Sequence, residues 1–383
     1  MKLRPAILLS ASLLLSGCAG NGLPFANPNY RDVEDLQLVQ TFGYDWHQDQ
    51  VTVTVSSGQG REALSSSLLT ASAPDIPQAI ELLQDWSARE DLFFAHIRYV
   101  LVGEEAARHG LEELLDWFER NTQTRLDLPL FVVQGGSARE VISGSEENEF
   151  EITAALLSLT RDAERRGMSY PFTLRELASR TERSGGALCT SVHTAKAEQS
   201  VPSSPESLTV LDTGFALFRD GRLCAFSEEE AARGITLLLR KAGSGAAAVR
   251  DRSGALVTLE LGDGRVTFLP SWDAGGSPSL AVRVSYRASV ISSLASPSDR
   301  LVAELDEAFT LWLEERCLAA LEFCRSSGAD FLDLGRLLKS ADAAAFSRCG
   351  WPAPLETLPI TLEVRGEVDR SFDILSPANP LED

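Results

Sequence analysis

Short strand patterns alternate with helical patterns through the first half of the chain, and this alternation limits the folds open to it. Val51–Val55 alternates valine with threonine, which is typical of a half-buried strand. The remaining periodic segments predict, in order, an extended stretch near 65–71, a helix at Pro77–Ser87, a strand at His96–Val102, a helix at Glu104–Arg120, a strand at Leu128–Val133 and helices at Phe150–Arg166 and Thr173–Glu182. Strands that alternate with helices predict a mixed α/β layer.

The second half has a different pattern, with hairpins followed by one long helix. Asp220-Gly221 separates two strand-like runs, and Asp-Gly is a strong two-residue hairpin signal. A capping box at Ser227 and Glu230 predicts a helix to Arg240. The remaining elements are a hairpin with its turn at 262–264, a strand at 281–291, a helix over 297–326 and a strand at 358–369. The whole chain is therefore predicted to be α+β and multidomain, with mixed sheets.

Composition shifts divide the chain into three predicted units. The Ser- and Pro-rich stretch 197–207 is the best linker, and 242–248 resembles a flexible junction. The units are an N-terminal α/β domain over 30–200, a small hairpin–helix subdomain over 208–246 and a C-terminal α+β domain over 254–383.

The N-terminus has the pattern of an export signal. Lys2 and Arg4 precede a short apolar run, which is followed by Leu15-Ser-Gly-Cys18. This tetrapeptide resembles the bacterial lipobox, so residues 1–17 are predicted to be a signal peptide, Cys18 the lipid attachment site and 18–29 a tether that keeps the body near the outer side of a membrane. The alternative is ordinary secretory cleavage that leaves Cys18 as a plain thiol.

Charge and length exclude several classes of function. The chain has 35 Lys and Arg against 55 Asp and Glu, a net charge of −20, whereas nucleic-acid binding needs clustered basic residues. No apolar run reaches the roughly 18 residues needed to span a bilayer, so a polytopic membrane protein is not expected. With four His and two Met, a metal site rich in those ligands is not expected either.

Five cysteines follow Cys18, at positions 189, 224, 317, 324 and 349. None forms a Cys-x-x-Cys pair, which gives no support to a zinc knuckle or a redox pair. Cys317 and Cys324 are two helical turns apart, too far for a disulfide. Buried thiols are the favoured interpretation, and a Cys189–Cys224 disulfide stays open as an alternative.

Catalytic patterns are missing from the sequence. It has no His-Glu-x-x-His, no Gly-x-Ser-x-Gly and no phosphate-binding Gly-x-x-x-x-Gly-Lys motif. Its histidines, His47, His96, His109 and His193, fall in four separate segments and are expected to be structural or surface residues. Gly58-Gln-Gly60 imitates a dinucleotide fingerprint, but a poor helix sequence follows it. We therefore expect no catalytic, cofactor-binding or metal-binding residues.

Four segments resemble one family, in the same order along the chain. Tyr30–Asp45 is similar to the start of the mature Ger(x)C spore-germination lipoproteins, and Phe93–Glu104 resembles their His-containing strand that ends in Gly-Glu. Gly214–Leu223 resembles their hairpin, and Gly328–Gly335, before Trp351, resembles their C-terminal pattern. One departure is that residues 19–29 stand where the family often has Trp-Asp directly after the lipidated cysteine.

The resemblance implies a non-enzymatic C subunit of a nutrient germinant receptor. Such a subunit would be lipid-anchored at Cys18 on the outer face of the spore inner membrane, beside the polytopic A and B receptor subunits, and would be needed for receptor assembly and the germination response. Of the family's functional residues only Cys18 carries over. The main alternative is a solute-binding lipoprotein of a transporter, which needs two lobes around a cleft. A tethered cell-envelope hydrolase is a second alternative, without a nucleophile–base pair to support it.

Overall fold

The computed structural model describes residues 36–57, 67–87, 91–147, 152–196, 208–292 and 299–369. Its first sheet has nine strands in the order β3-β2-β1-β5-β6-β7-β8-β9, with β4 paired to β1. The strands are β1 Leu36–His47, β2 Gln50–Ser57, β3 Ser67–Ala73, β4 Asp91–Phe93, β5 Tyr99–Gly103, β6 Leu130–Val133, β7 Gly186–Lys196, β8 Leu208–Arg219 and β9 Arg222–Phe226. The central strands β1, β5, β6 and β7 are parallel, and antiparallel strands flank them on both sides.

Helices cover both faces of this sheet. They are α1 Ile76–Ser87, α2 Glu104–His109, α3 Glu112–Arg120, α4 Ala138–Glu147, α5 Ile152–Arg166 and α6 Leu174–Ser184. Val100 and Val102 of β5 join one apolar cluster with α1, α2, α3 and α6. Tyr99 and Leu101 join the opposite cluster with α4 and α5. A central strand buried on both faces explains why β5 is apolar throughout.

A four-stranded sheet in the order β10-β11-β12-β13 forms the second part. Its strands are β10 Ala246–Arg250, β11 Leu256–Trp272, β12 Pro278–Ser292 and β13 Ile360–Val368, and β13 is parallel to β12. The helices are α7 Glu229–Leu238, α8 Asp299–Ser327, α9 Leu334–Ala341 and α10 Ala343–Cys349. None of these or the preceding helices combines the length and apolarity needed to cross a bilayer.

One of the three apolar clusters in the described part of the chain joins the two sheets. Phe215 and Leu217 of β8 face a cluster that also contains the buried side of the second sheet and α8, whereas Phe218 faces the first sheet's cluster. Helices α7 and α8 meet at Gly234, where a Cβ atom would lie 1.8 Å from the Arg316 carbonyl oxygen. On α8 itself, the Arg316 guanidinium lies over the Trp312 ring, 4.1 Å from its centroid. The Arg316 side chain is 18% exposed, and its Nη1 lies 3.5 Å from Glu315 Oε2.

The predicted fold class is confirmed, and several boundaries are corrected. The helix predicted over 104–120 is two helices, because Gly110 adopts φ 137° between α2 and α3. The predicted turn at 262–264 is wrong: β11 runs through it with a shift of register, and the chain turns after Trp272. Gly264 lies under the Tyr286 ring, where a Cβ would be 2.1 Å from Cε1, so packing rather than a turn requires glycine.

The predicted capping box at Ser227 and Glu230 is wrong. Ser227 does not cap α7; its Oγ accepts a hydrogen bond from the Phe215 N–H at 2.8 Å, and the N-cap residue is Glu228. The predicted junction 242–248 includes the start of β10. Strands β8 and β9, predicted as part of a small middle subdomain, are hydrogen-bonded into the first sheet. The division at 197–207 stays a prediction, since that stretch and Gly58–Gly60 lie outside the described residues.

Candidate functional site

A cleft of about 840 Å³ opens at the carboxyl edge of the parallel strands β1, β5 and β6. Parallel strands place their carboxyl ends at one edge, where α/β proteins usually bind ligands. One wall is the start of α2 with Glu104 and Glu105, and another is the start of α4 with Arg139 and Glu140. The β1–β2 hairpin supplies the rim.

Asp45, near the end of β1, forms the floor of this cleft. Its carboxylate accepts hydrogen bonds from the Ala138 and Arg139 N–H groups, at 2.7 and 2.8 Å, and so caps the N-terminus of α4. Burial raises the pKa of the Asp45 carboxyl, and the two amide hydrogen bonds act against that rise. Gly103 leaves room for this carboxylate, because a Cβ there would lie 2.1 Å from Asp45 Oδ1. Asp45 therefore fills the place at which a helix N-terminus would hold an external anion.

Helix α4 itself was missing from the sequence predictions. Ser137 Oγ accepts a hydrogen bond from the Glu140 N–H at 3.1 Å, and the Glu140 carboxylate accepts one from the Ser137 N–H at 3.0 Å. This reciprocal pair is a capping box, and Ser-x-x-Glu is its sequence signature. The signal that could have located α4 was therefore present at 137–140.

Glu104, the first residue of α2, connects two segments at the cleft wall. It accepts hydrogen bonds from the Gly135 N–H at 2.7 Å and from Arg108 Nη2 at 2.7 Å. Partial burial would raise the pKa of Glu104, but these hydrogen bonds and the Arg108 charge outweigh burial and lower it. Glu104 is therefore held as a carboxylate that fastens the β6–α4 loop to α2.

Two histidines from separate segments contact residues that line the cleft. The His109 ring stacks on Trp46 with 3.8 Å between centroids, and His47 Nδ1 lies 3.2 Å from Glu105 Oε2. The side chains of His47 and Glu105 are both about two-thirds exposed, at 67% and 66%, so solvent weakens this contact. His96 and His193 lie elsewhere, in the turn before β5 and on β7.

Asp330 caps a helix in the same way as Asp45, and it also connects the two sheets. We call each such contact, a buried carboxylate that caps a helix against another segment, a joint. The Asp330 carboxylate accepts hydrogen bonds from the Leu334 and Gly335 N–H groups, both at 2.7 Å, at the start of α9. Asp330 is 1% exposed, and burial raises its pKa to about 6 against the effect of these hydrogen bonds. On the other side it forms a bridge with Gly185, and a Cβ on Gly186 would lie 2.5 Å from the Asp330 carbonyl carbon.

The cysteines are the remaining residues that the sequence singled out. Cys18 lies outside the described residues. The five later cysteines are free thiols, so the alternative Cys189–Cys224 disulfide is not formed. Burial raises the pKa of the Cys317 thiol to about 12 and also raises the pKa of Cys189 and Cys324. Within the described ranges, no group of three or more His, Cys, Asp or Glu could hold a metal ion.

Both halves of the chain match models of known protein families. A family model described as the spore germination protein N-terminal domain matches residues 29–194. A second, described as spore germination B3/GerAC like, C-terminal, matches residues 213–371. No curated protein sequence matches the chain. A solved structure, the crystal structure of the GerBC protein, aligns with a TM-score of 0.58 and 14% identity over 88% of this chain and 99% of that one; at this identity the likeness shows the fold alone.

The joints described above lie in the segments that resembled one family. Asp45 and Gly103 belong to the first two segments, and Asp330 and Gly335 to the last. The alternative of a transporter's solute-binding lipoprotein is not favoured by the matches. With the two domain models following each other over most of its length, the chain belongs to the Ger(x)C family of spore germination proteins, the C subunits of germinant receptors.

Proposed function

We propose that this protein is a non-enzymatic, lipid-anchored subunit of a spore nutrient germinant receptor, needed for receptor assembly and for the response to nutrient. The observation that carries the proposal is the succession of the two germination domains along 29–194 and 213–371. The partners would be the polytopic A and B subunits, and the location the outer face of the spore inner membrane.

The geometry supports a structural role for the family segments. Asp45 and Asp330 each use both carboxylate oxygens to cap a helix, and Glu104 fastens a loop. Carboxylates held in this way position secondary structure and are not presented to a substrate. The β8–β9 hairpin also holds other elements in position. The Leu111 N–H donates to the Gly221 carbonyl at 3.1 Å, and Arg222 donates to the His109 carbonyl, so the hairpin turn is fastened to the connection between α2 and α3. The family pattern thus maintains a rigid body whose output would be binding to other subunits.

A lipid attached at Cys18 would hold the folded part of the protein at the membrane surface, near the polytopic subunits. A tether about ten residues long keeps the domain within tens of ångströms of the bilayer, which raises its effective concentration for membrane partners to roughly the millimolar range. Contacts at the outer leaflet could then stabilise one arrangement of the polytopic subunits.

Replacement of the gene by a Cys18→Ala allele tests the anchor and the function together. We expect the variant to leave the membrane fraction, or to persist as an uncut precursor, and the spores to lose germination on one set of nutrients as a full deletion does. Cys349→Ser, which changes a half-buried thiol, is the matched control and should fractionate and germinate normally.

Germination by a trigger that bypasses nutrient receptors should persist in both the deletion and the Cys18→Ala strain. If the deletion strain germinates normally on every nutrient, in a genome without a second copy of the gene, the receptor assignment is wrong. If only the Cys18→Ala strain is normal, the anchor is wrong and the receptor assignment stands.

A further inference from the structure

Within the part of the chain that the structure describes, no helix covers the outer face of the second sheet. Alternate residues of β10–β13 are buried under α7 and α8, and the residues between them face solvent. This outer face carries five arginines, at 250, 265, 283, 287 and 365, against four acidic residues, Glu260, Glu363, Glu367 and Asp263 at the register shift of β11. Its charge is therefore positive, although the chain as a whole carries −20.

The arginines are arranged in rows across the strands. Arg265 of β11 and Arg365 of β13 lie on either side of Ser285 in one row. In the next row Arg283 Nε lies 2.7 Å from Glu363 Oε2. In the row on the other side, Glu367 lies 2.7 Å from Arg365 and 3.8 Å from Arg287, so one glutamate serves two arginines. The Arg265–Ser285–Arg365 row and its neighbours therefore keep an excess of positive charge.

Three exposed aliphatic side chains lie further along β11 and β12 on the outer face. Leu256, Leu269 and Ile291 are 55%, 38% and 59% exposed on the same face. Exposed aliphatic residues mixed with arginine, without lysine, resemble the composition of a protein interface more than that of an ordinary solvated sheet.

The opposite side of the same unit has the complementary composition. Helix α8 packs one side on the sheet, through Leu305, Phe309 and Leu313. Its solvent side carries, at helical spacing, Glu307, Leu311, Glu315, Leu318 and Glu322. Leu311 and Leu318 are 58% and 49% exposed, and the Glu315 and Glu322 side chains are 74% and 66% exposed. Arg316 and Arg325 pair with Glu315 and Glu322 but are less exposed than those glutamates, at 18% and 34%. The helix therefore presents glutamates with leucines to solvent, whereas the sheet presents arginines with leucine and isoleucine.

We propose that a second copy of this chain lays the solvent side of its α8 across the outer face of the β10–β13 sheet. The spacings agree for a helix that crosses the strands: Arg265 and Arg365 are two strands apart, about 9.6 Å at 4.8 Å per strand, and Glu315 and Glu322 are seven residues apart, about 10.5 Å at 1.5 Å per residue. The added helix would supply the layer that the outer face lacks. Because the two surfaces are different and lie on opposite sides of one unit, the contact is head-to-tail and can repeat along a row of copies.

The net charge of −20 does not prevent this contact. At 0.15 M salt the Debye length is about 8 Å, so charges far from the interface are screened while Glu315 and Glu322 can meet Arg265 and Arg365. Association should therefore fall in 1 M salt, where the Debye length is about 3 Å.

Cysteine cross-linking in membranes distinguishes a head-to-tail contact from other arrangements. Leu318→Cys places a thiol on the solvent side of α8, and Leu269→Cys places one on the sheet face. With a short bis-maleimide, membranes holding either single variant alone should show only monomer, the two single variants expressed together should give a dimer, and the double variant should give a ladder of multimers. The parent chain measures the background from native thiols.

Charge exchange tests the pairing of the two surfaces in the double-cysteine chain. Arg265→Glu with Arg365→Glu, or Glu315→Arg with Glu322→Arg, should weaken the ladder about tenfold, because like charges would then face each other. All four changes in one chain should restore it. These positions are exposed, so an unchanged thermal unfolding midpoint serves as the folding control.

Three results would overturn the proposal. A double variant without a ladder would show that the surfaces do not meet. A dimer from Leu318→Cys alone would show a symmetric contact between two α8 helices. A cross-linked product of another mass would show that a different protein covers the surface.

Discussion

Asp45 and Asp330 share one arrangement at the scale of the residue. Each is a buried carboxylate that accepts two amide hydrogen bonds from the first turn of a helix, α4 or α9. A Cβ atom on Gly103 would collide with the Asp45 carboxylate, and a Cβ atom on Gly186 would collide with the Asp330 backbone. The aspartate and the glycine are therefore one structural unit, although they are far apart in sequence.

Replacement of Asp45 should destabilise the first domain. Asp45→Asn keeps one acceptor oxygen and turns an amide donor toward an N–H group, so we expect the free energy of unfolding to fall by about 1–3 kcal/mol. Urea denaturation of the purified protein measures the change. Asp49→Asn, at an exposed turn position of the β1–β2 hairpin, is the control and should change stability by less than about 0.5 kcal/mol. Equal stability of the two variants would contradict the capping role.

Asp330 should give the protein a characteristic dependence on pH. Its pKa is raised to about 6 when folded, against about 3.9 in an unfolded chain. Between pH 4 and 6 the folded state therefore holds a proton that the unfolded state has released, and stability contributed by this group is present below pH 4 and lost as the pH rises to 6. The loss is about 3 kcal/mol for two pKa units.

Denaturation at several pH values checks this slope. The Asp330→Asn variant cannot titrate, so its stability should fall less steeply than that of the parent between pH 4 and 6. A variant whose slope equals the parent's would show that Asp330 has an ordinary pKa.

At the scale of the element, local patterns located most helices and strands but not where they break. The strand at Val51–Val55 and the hairpin around Asp220-Gly221 are confirmed, because alternation and turn chemistry are local signals. The break at Gly110 depends on the β8–β9 turn, whose Gly221 carbonyl accepts a hydrogen bond from the Leu111 N–H. That contact joins residues more than 100 positions apart, so periodicity around 104–120 could not reveal it.

The α7–α8 contact depends on one position without a side chain. Gly234→Ala would place a methyl group against the Arg316 carbonyl and force the helices apart, so we expect a loss of about 1–3 kcal/mol. Alanine has the higher helix propensity, by about 1 kcal/mol, so a loss of stability would have to come from packing. Thermal denaturation measures it. Glu229→Ala, on the exposed side of α7, is the control, and a Gly234→Ala protein at least as stable as the parent would contradict the close approach.

At the scale of the whole molecule, two sheets are joined through β8 and the Asp330 joint. We predict that limited proteolysis of the intact protein cuts within 197–207 before it cuts inside α8, because linkers have few buried contacts. Mass spectrometry of the first fragments locates the cut. First cleavage inside α8 would show that the division of domains lies elsewhere.

The charge of the whole molecule is unevenly distributed over its surface, and the composition alone does not show this. The total of −20 excludes a basic molecule, yet the outer face of the second sheet is basic. The contrast arises because strand alternation gathers every second residue of four strands onto one face. Only the pairing of β11, β12 and β13 brings Arg265 and Arg365 into one row.

The sequence alone determined the mixed α/β class, the order of most elements, the predicted anchor at Cys18 and the resemblance to Ger(x)C proteins, because these depend on local periodicity and short motifs. Only the tertiary structure decided what the motif residues do. Asp45, Gly103 and the start of α4 come from three separate segments, and they meet because parallel strands place their carboxyl ends at one edge. In the same way Gly264 is glycine because the Tyr286 ring of the neighbouring strand lies over it. Contacts between distant segments, set by the packing of whole elements, have no local signature in sequence.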